Sequence, residues 1–278
     1  MFCINHLNAL RASEIEDILT RFPPGARILE LGAGTGRQAL EISRRGFEVE
    51  AIEIGSSNYA EVRLFPIVDY DGRNIPFPDN SFDVVFSSNV LEHVPDLAKM
   101  HAEILRVLRP GGKCVHVLPT DSWRFWTTLS AFPAALQYAL TLRDQFRINW
   151  PVNGAEFQRL KSVGLGVARH LSAPFRQTRH GERGNIITEV WYFRPSWWRA
   201  NFQQNGFRIF TDAPMGVFYT GNMVRHTKWS IQFRRKAARW FGSACHIFEL
   251  VPEVTKPSAA AISVNTDDHR QASARAVG

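Results

Sequence analysis

Short apolar runs alternate with longer amphipathic stretches through the first 120 residues. Five runs have strand length and strand composition: Arg27 to Leu31, Phe47 to Ile54, Phe65 to Val68, Phe82 to Phe86 and Lys113 to Leu118. The Val84-Val85-Phe86 stretch is apolar on consecutive positions, the mark of a strand buried on both faces. Residues 8–20, 37–45 and 96–108 instead carry apolar side chains at helical spacing, with a further short helix expected over 58–63. Phe22-Pro23-Pro24-Gly25 and Gly46 break the chain between elements, and Pro110-Gly111-Gly112 is read as the end of the third of these helices. Strands alternating with helices predict a parallel sheet covered on both faces. Right-handed crossovers bring the C-terminal ends of its strands to one edge, where ligands bind.

The alternation falters after residue 120. Residues 123–146 and 154–165 read as bulky helices inserted after the fifth strand. Pro195 to Gly206 reads as a helix opened by proline, Phe207 to Thr211 as a sixth strand, 222–241 as a basic amphipathic helix, and Ala244 to Val251 as a seventh strand. From Pro252 onward Ala, Ser, Thr and Asp follow without period, as in a disordered tail. The expected division is an N-terminal helix over 1–25, a core over 26–119, an insert over 120–194, the rest of the sheet over 195–251, and a tail over 252–278.

Charge sharpens that division. The net charge of +7 is split between an acidic first part, with 12 basic and 16 acidic residues up to 119, and a basic second part, with 18 and 6 over 120–245. All eight tryptophans lie between Trp123 and Trp240. The two parts are thus expected to do different jobs. The three cysteines, Cys3, Cys114 and Cys245, are scattered, so no metal site and a reducing compartment are expected. No run reaches the roughly 18 apolar residues of a membrane span, and the first residues lack a signal-peptide pattern, which points to the cytoplasm.

The candidate chemistry starts at Glu30-Leu31-Gly32-Ala33-Gly34-Thr35-Gly36, between the first strand and the second helix. Glycines let this turn approach a ligand closely, and the helix aims free N–H groups at the same place. A dinucleotide fingerprint wants a third glycine at 37, where the chain has Arg37. The acid at Glu30 suits a cationic ligand better than a pyrophosphate. Glu53 closes the second strand, where a carboxylate can accept from both hydroxyls of a ribose. Asp71-Gly72 follows the third strand, then Ile75-Pro-Phe-Pro-Asp-Asn-Ser-Phe-Asp83, Ser87-Ser-Asn-Val-Leu-Glu-His-Val94 and Leu105-Arg-Val-Leu-Arg-Pro-Gly-Gly112.

In this order and with these gaps, the motifs over residues 26–118 resemble a class I S-adenosylmethionine (SAM)-dependent methyltransferase of the type 11 group, which includes enzymes of ubiquinone and menaquinone biosynthesis. The resemblance implies an α/β, Rossmann-like doubly wound sheet of seven strands, mostly parallel with an antiparallel last strand. It implies SAM as cofactor. Glu30, Gly32, Gly34 and Gly36 would hold its methionine part, Glu53 its ribose with Ile54 beside the adenine, Asp71 the adenine amino group with Gly72 next to it, and Asn89 would lie near the methionine end or the mouth of the acceptor site. The Asn/Asp-Pro-Pro-Tyr/Phe motif of planar-nitrogen methylation is missing after the fourth strand, which argues against a base or glutamine acceptor.

Methyl transfer needs a general base only when the acceptor carries a proton to be lost. His93, after the fourth strand, and His180, in His180-Gly-Glu-Arg-Gly-Asn185, are the candidates. A bulky apolar series over Trp123 to Leu140, and basic residues interleaved with aromatic ones over 222–241, suit a small-molecule or lipid-like acceptor, a lid, or peripheral contact with an anionic membrane. RNA methylation, a SAM-binding module without turnover and a nicotinamide-dependent oxidoreductase are the competing functions.

Overall fold

The computed structural model describes residues 4–57, 61–143, 154–172, 175, 178–222 and 229–253. Seven strands form one sheet: β1 (Arg27–Leu31), β2 (Glu48–Ile54), β3 (Val68–Tyr70), β4 (Phe82–Ser88), β5 (Leu108–Pro119), β6 (Phe207–Pro214) and β7 (Cys245–Pro252). Their order is β3-β2-β1-β4-β5-β7-β6. The first five pair in parallel, and β7 runs antiparallel to both β5 and β6. This is the doubly wound sheet with an antiparallel last strand that the motifs imply. The helices are α1 (Ile4–Leu19), α2 (Arg37–Arg44), α3 (Leu97–Val107), α4 (Asp121–Arg143), α5 (Gly154–Ser172), α6 (Glu189–Tyr192), α7 (Pro195–Gln204) and α8 (Ile231–Phe241).

Consecutive strand residues point to opposite faces, so a buried strand must be apolar throughout. Leu29, Leu31 and Val85 pack on one face with Ile104, Trp198 and Phe202, under α3 and α7. Ile28, Val84 and Phe86 pack on the other with Leu10, Ile18 and Trp123, under α1 and α4. Each large side chain so buried contributes roughly 1.5–3 kcal/mol.

Several boundaries differ from the sequence expectation. The third strand covers Val68–Tyr70, not Phe65 to Val68. Pro66 has no N–H for a ladder, and Phe65 instead joins Ile67 against a small cluster of Ala33, Ala39 and Ala51. Of the short helix expected over 58–63, residues 58–60 lie outside the described residues and 61–62 form a turn and a bend. Pro110-Gly-Gly112 does not merely end α3: β5 already begins at Leu108, and its ladder with β4 shifts register there. A Cβ on Gly112 would stand 2.9 Å from the Arg109 carbonyl and 3.1 Å from that of Asp83, so the close approach requires glycine. The basic helix expected over 222–241 is α8 alone, from Ile231, with 223–228 outside the described residues. The helix expected to end at 165 continues as α5 to Ser172, while the end of the one expected to reach 146 lies outside them past Arg143. So does the expected tail after Glu253, and Pro252 itself ends β7.

Two motifs prove to be braces. The Arg106 guanidinium donates to the carbonyls of Ile75 and Phe77 and to Asp79 and Glu103, which pins the Pro-rich 75–79 loop to α3. Arg109 donates to both oxygens of Asp83 at 3.0 Å. No helix among the described residues is long and apolar enough to cross a membrane.

Candidate active site

The parallel register sets the site. Leu31 pairs with Ile52 on one side and Ser87 on the other, so Gly32, Glu53 and Ser88 emerge level at one sheet edge. Ile54 pairs with Tyr70, which brings Asp71 to the same edge. Gly32, Gly34 and Gly36 have φ of 71°, 57° and 74°, the left-handed region that side chains disfavour. A Cβ on Gly32 would stand 2.5 Å from a Val90 methyl, and one on Gly36 2.8 Å from Phe65. The turn is closed from behind by the Leu64 N–H, which donates to the Thr35 carbonyl at 2.8 Å.

The Gly34 N–H donates to Glu53 Oε2 at 2.7 Å, so the acid that ends β2 lies directly on the glycine turn. Ile54, apolar yet 41% exposed, lies beside Gly72, where a Cβ would be 3.2 Å from its Cγ2. An exposed apolar side chain next to a bare glycine offers a flat ring a surface. Asp71 accepts from the N–H groups of Arg73 and Asn74 and from the Asn74 amide, and these bonds hold its carboxyl down at about 2. Its first task is therefore its own turn. Glu30 is 2% exposed, and one of its oxygens has no partner. Burial pushes its carboxyl up to about 8, opposed by the Ala39 N–H in α2. The glycine cradle, Glu53, the Ile54–Gly72 surface and the orphaned oxygen of Glu30 fit a nucleoside carrying a cationic tail.

Asn89 follows β4 with φ of 56°, a conformation asparagine tolerates, and its N–H donates to the Val117 carbonyl. In the amide orientation that satisfies both ends, its oxygen accepts from Arg11 at 2.7 and 2.8 Å. Arg11 also donates to Ser88 at 3.2 Å. Sequence reasoning missed Arg11: nothing in α1 marks it until the fold carries it to the end of β4. The Asn89 amide lies 3.6 Å from Cys245 Sγ, which lies 3.1 Å from the Tyr219 hydroxyl.

Tyr219 in turn lines a cavity of about 390 Å³ between α4 and α8, with Trp126, Leu129, Phe132, Phe218 and Trp229 among its walls. Arg234 is not a solvated surface cation as the amphipathic pattern suggests. It is 2% exposed and donates to the Phe218 and Trp229 carbonyls, closing one side of that cavity. Arg225 and Lys228 lie outside the described residues.

His93 and His180 are brought together, their ring centroids 4.7 Å apart, and His180 packs at the same distance from Trp123. Partial loss of water around the rings lowers His93 and pushes His180 down to about 4, with His93 and Arg124 adding to the latter shift. Both shifts favour the neutral imidazole. Glu92, buried beside them, was not singled out from the sequence; its separation from His180 hides the pairing.

Residues 29–116 match the model of the type 11 family described as methyltransferase domain, and this segment is such a domain. An uncharacterized methyltransferase of Mycobacterium sp. (strain KMS) is 37% identical over 115 residues, which is 38% of this chain and 44% of the relative. A demethylmenaquinone methyltransferase of Corynebacterium kroppenstedtii is 38% identical over 92 residues, 32% of this chain and 40% of the relative. The chain thus spans less than half the length of these curated relatives. Among solved structures, a chain from the complex between the Haloferax volcanii Trm112 methyltransferase activator and a methyltransferase superposes with a TM-score of 0.51 at 13% identity. That match covers 88% of this chain and 90% of the other, and it shows the shared fold.

Proposed function

Residues 29–116 being a methyltransferase domain, we propose that the chain is a SAM-dependent methyltransferase whose acceptor is an apolar, lipid-like small molecule. Bound SAM supplies a methyl group on a sulfonium, whose departing thioether needs no proton. The Gly32–Gly36 turn and Glu30 would hold the methionine part, Glu53 the ribose, and Ile54 and Gly72 the adenine. Asp71 would meet the adenine amino group with a carboxylate its turn keeps ionised. The chain's remaining work is to align the acceptor and keep water out. A neutral imidazole at His93 or His180 would take the proton of a hydroxyl or ammonium acceptor.

One observation carries the acceptor class. The apolar cavity between α4 and α8 is joined to the end of β4 through Tyr219, Cys245 and Asn89. Its size falls in the range of small-molecule sites. Beside it α4 exposes Phe125, Leu129, Phe132, Leu136 and Leu140 along one stripe, and α8 exposes Phe233, Trp240 and Phe241. Arg235, Lys236 and Arg239 stand on the same helix. A basic, aromatic rim around an apolar cavity suits entry of a lipid-like acceptor from an anionic surface. The test is transfer of labelled methyl from SAM by the full chain into fractionated cell extract. Label in the organic-soluble fraction is expected; label confined to RNA would overturn the acceptor class.

A further inference from the structure

We propose that Glu92, His93 and His180 form a binding site for one first-row divalent cation of the zinc, cobalt or manganese class. One donor atom of each lies within 4.8 Å of the other two. Two imidazoles and a carboxylate are a donor set such cations favour. Donors on one ion stand about 3–3.5 Å apart, given bonds of about 2.0–2.2 Å. Closing the triad therefore asks roughly 1 Å of each side chain, a small rotation for the exposed ring of His93.

The surroundings are built for this arrangement. Glu92 is 3% exposed, and neither carboxylate oxygen has a hydrogen-bond partner on another residue. An orphaned buried carboxylate is costly and calls for a ligand. The loop bearing His180 is docked onto Glu92 itself. The Glu182 N–H donates to the Glu92 carbonyl at 2.9 Å. Gly181 approaches so closely that a Cβ would stand 2.8 Å from that oxygen. Glu189, 1% exposed, accepts from the N–H groups of His180 and Gly181, and its other oxygen lies 2.6 Å from Arg124. Arg183 anchors the loop's far side on the Val94 carbonyl. The two halves of the triad, 87 positions apart, are thus locked together by backbone and buried charge.

The triad fills three coordination positions and leaves the rest for oxygen donors from solvent or an acceptor. Because Glu92 follows Asn89 by three residues, and Arg11 holds both Asn89 and Ser88 at the end of β4, the cation would sit beside the methyl-transfer region. Coordinated nitrogens accept no proton, so this role and that of a general base exclude one another at the same atom.

Metal-free, tag-free full-length chain titrated with Co²⁺ tests the site through visible absorption, with calorimetric Zn²⁺ titration alongside. One equivalent should bind, with bands of ligand-field type. His93→Ala, His180→Ala and the isosteric Glu92→Gln should each weaken binding roughly tenfold or more. His246→Ala, a control at a histidine bonded to Asp212, should leave it unchanged. If His180→Ala fails to fold, Glu92→Gln and His93→Ala still decide. Absence of saturable binding, or binding undiminished in those variants, overturns the site.

Discussion

Gly32→Ala isolates what the glycine turn demands. Its φ of 71° is left-handed, which costs an L side chain roughly 1–2 kcal/mol. The added Cβ would also stand 2.5 and 2.7 Å from the two methyls of Val90. Overpacking of that kind costs roughly 1–3 kcal/mol. The substitution should therefore destabilise the fold by roughly 2–5 kcal/mol. Val90→Ala removes both methyls and leaves only its Cβ at 3.2 Å, so it should relieve most of the overlap but none of the dihedral strain. Urea midpoints of the wild type, both single variants and the double variant give the coupling directly. A recovery of roughly 1–3 kcal/mol in the double variant is expected. A neutral Gly32→Ala, or a double variant whose costs simply add, would refute this account of the turn.

Other consequences follow from buried charge and from the cavity. Glu30 has its usual value of 4.5 when unfolded and about 8 when folded. The native state thus keeps a proton that the unfolded chain releases between those values. Its contribution is fully present below pH 4.5 and is lost as pH rises to 8, at about 1.4 kcal/mol per unit. Glu30→Gln should flatten that part of the stability profile, leaving the similar slope of Glu92, which is also held at about 8 by burial; a pH-independent difference between wild type and variant would count against it. Glu189→Ala strands Arg124, itself 3% exposed, and should cost about 3–5 kcal/mol by denaturant melting, more of it recovered in Arg124→Met/Glu189→Gln, which keeps an acceptor for the His180 and Gly181 N–H groups, than in Arg124→Met/Glu189→Leu, which does not. Leu129→Trp narrows the α4–α8 cavity and should lower methyl transfer roughly tenfold with SAM affinity intact; loss of SAM affinity would detach the cavity from the acceptor.

The sheet and the donor edge were legible because both rest on local signals. Strand-length apolar runs, the glycine turn, an acid at the end of the second strand and another shortly after the third mark this edge, and the parallel register aligns Gly32, Glu53 and Asp71 there. Phe65-Pro66 misled as a strand because apolarity alone does not reveal a missing ladder donor. Long-range pairings were not legible. Arg11 meets Asn89 across 78 positions, and His180 meets Glu92 only because Gly181 permits a close backbone approach. Arg234 looked like one more surface cation, and only the carbonyls of Phe218 and Trp229 in three dimensions show it to be a brace.

Calorimetric titration of the full chain with SAM and, separately, with NAD tests the central claim most directly, taken with Glu53→Ala as the paired variant. Glu53 is held on the Gly34 N–H in the structure and would exchange that bond for ribose hydroxyls. Saturable SAM binding, weakened roughly tenfold or more by Glu53→Ala, with no binding of NAD, is the expected result. Binding of NAD in place of SAM, or SAM affinity unaffected in a folded Glu53→Ala variant, would contradict it.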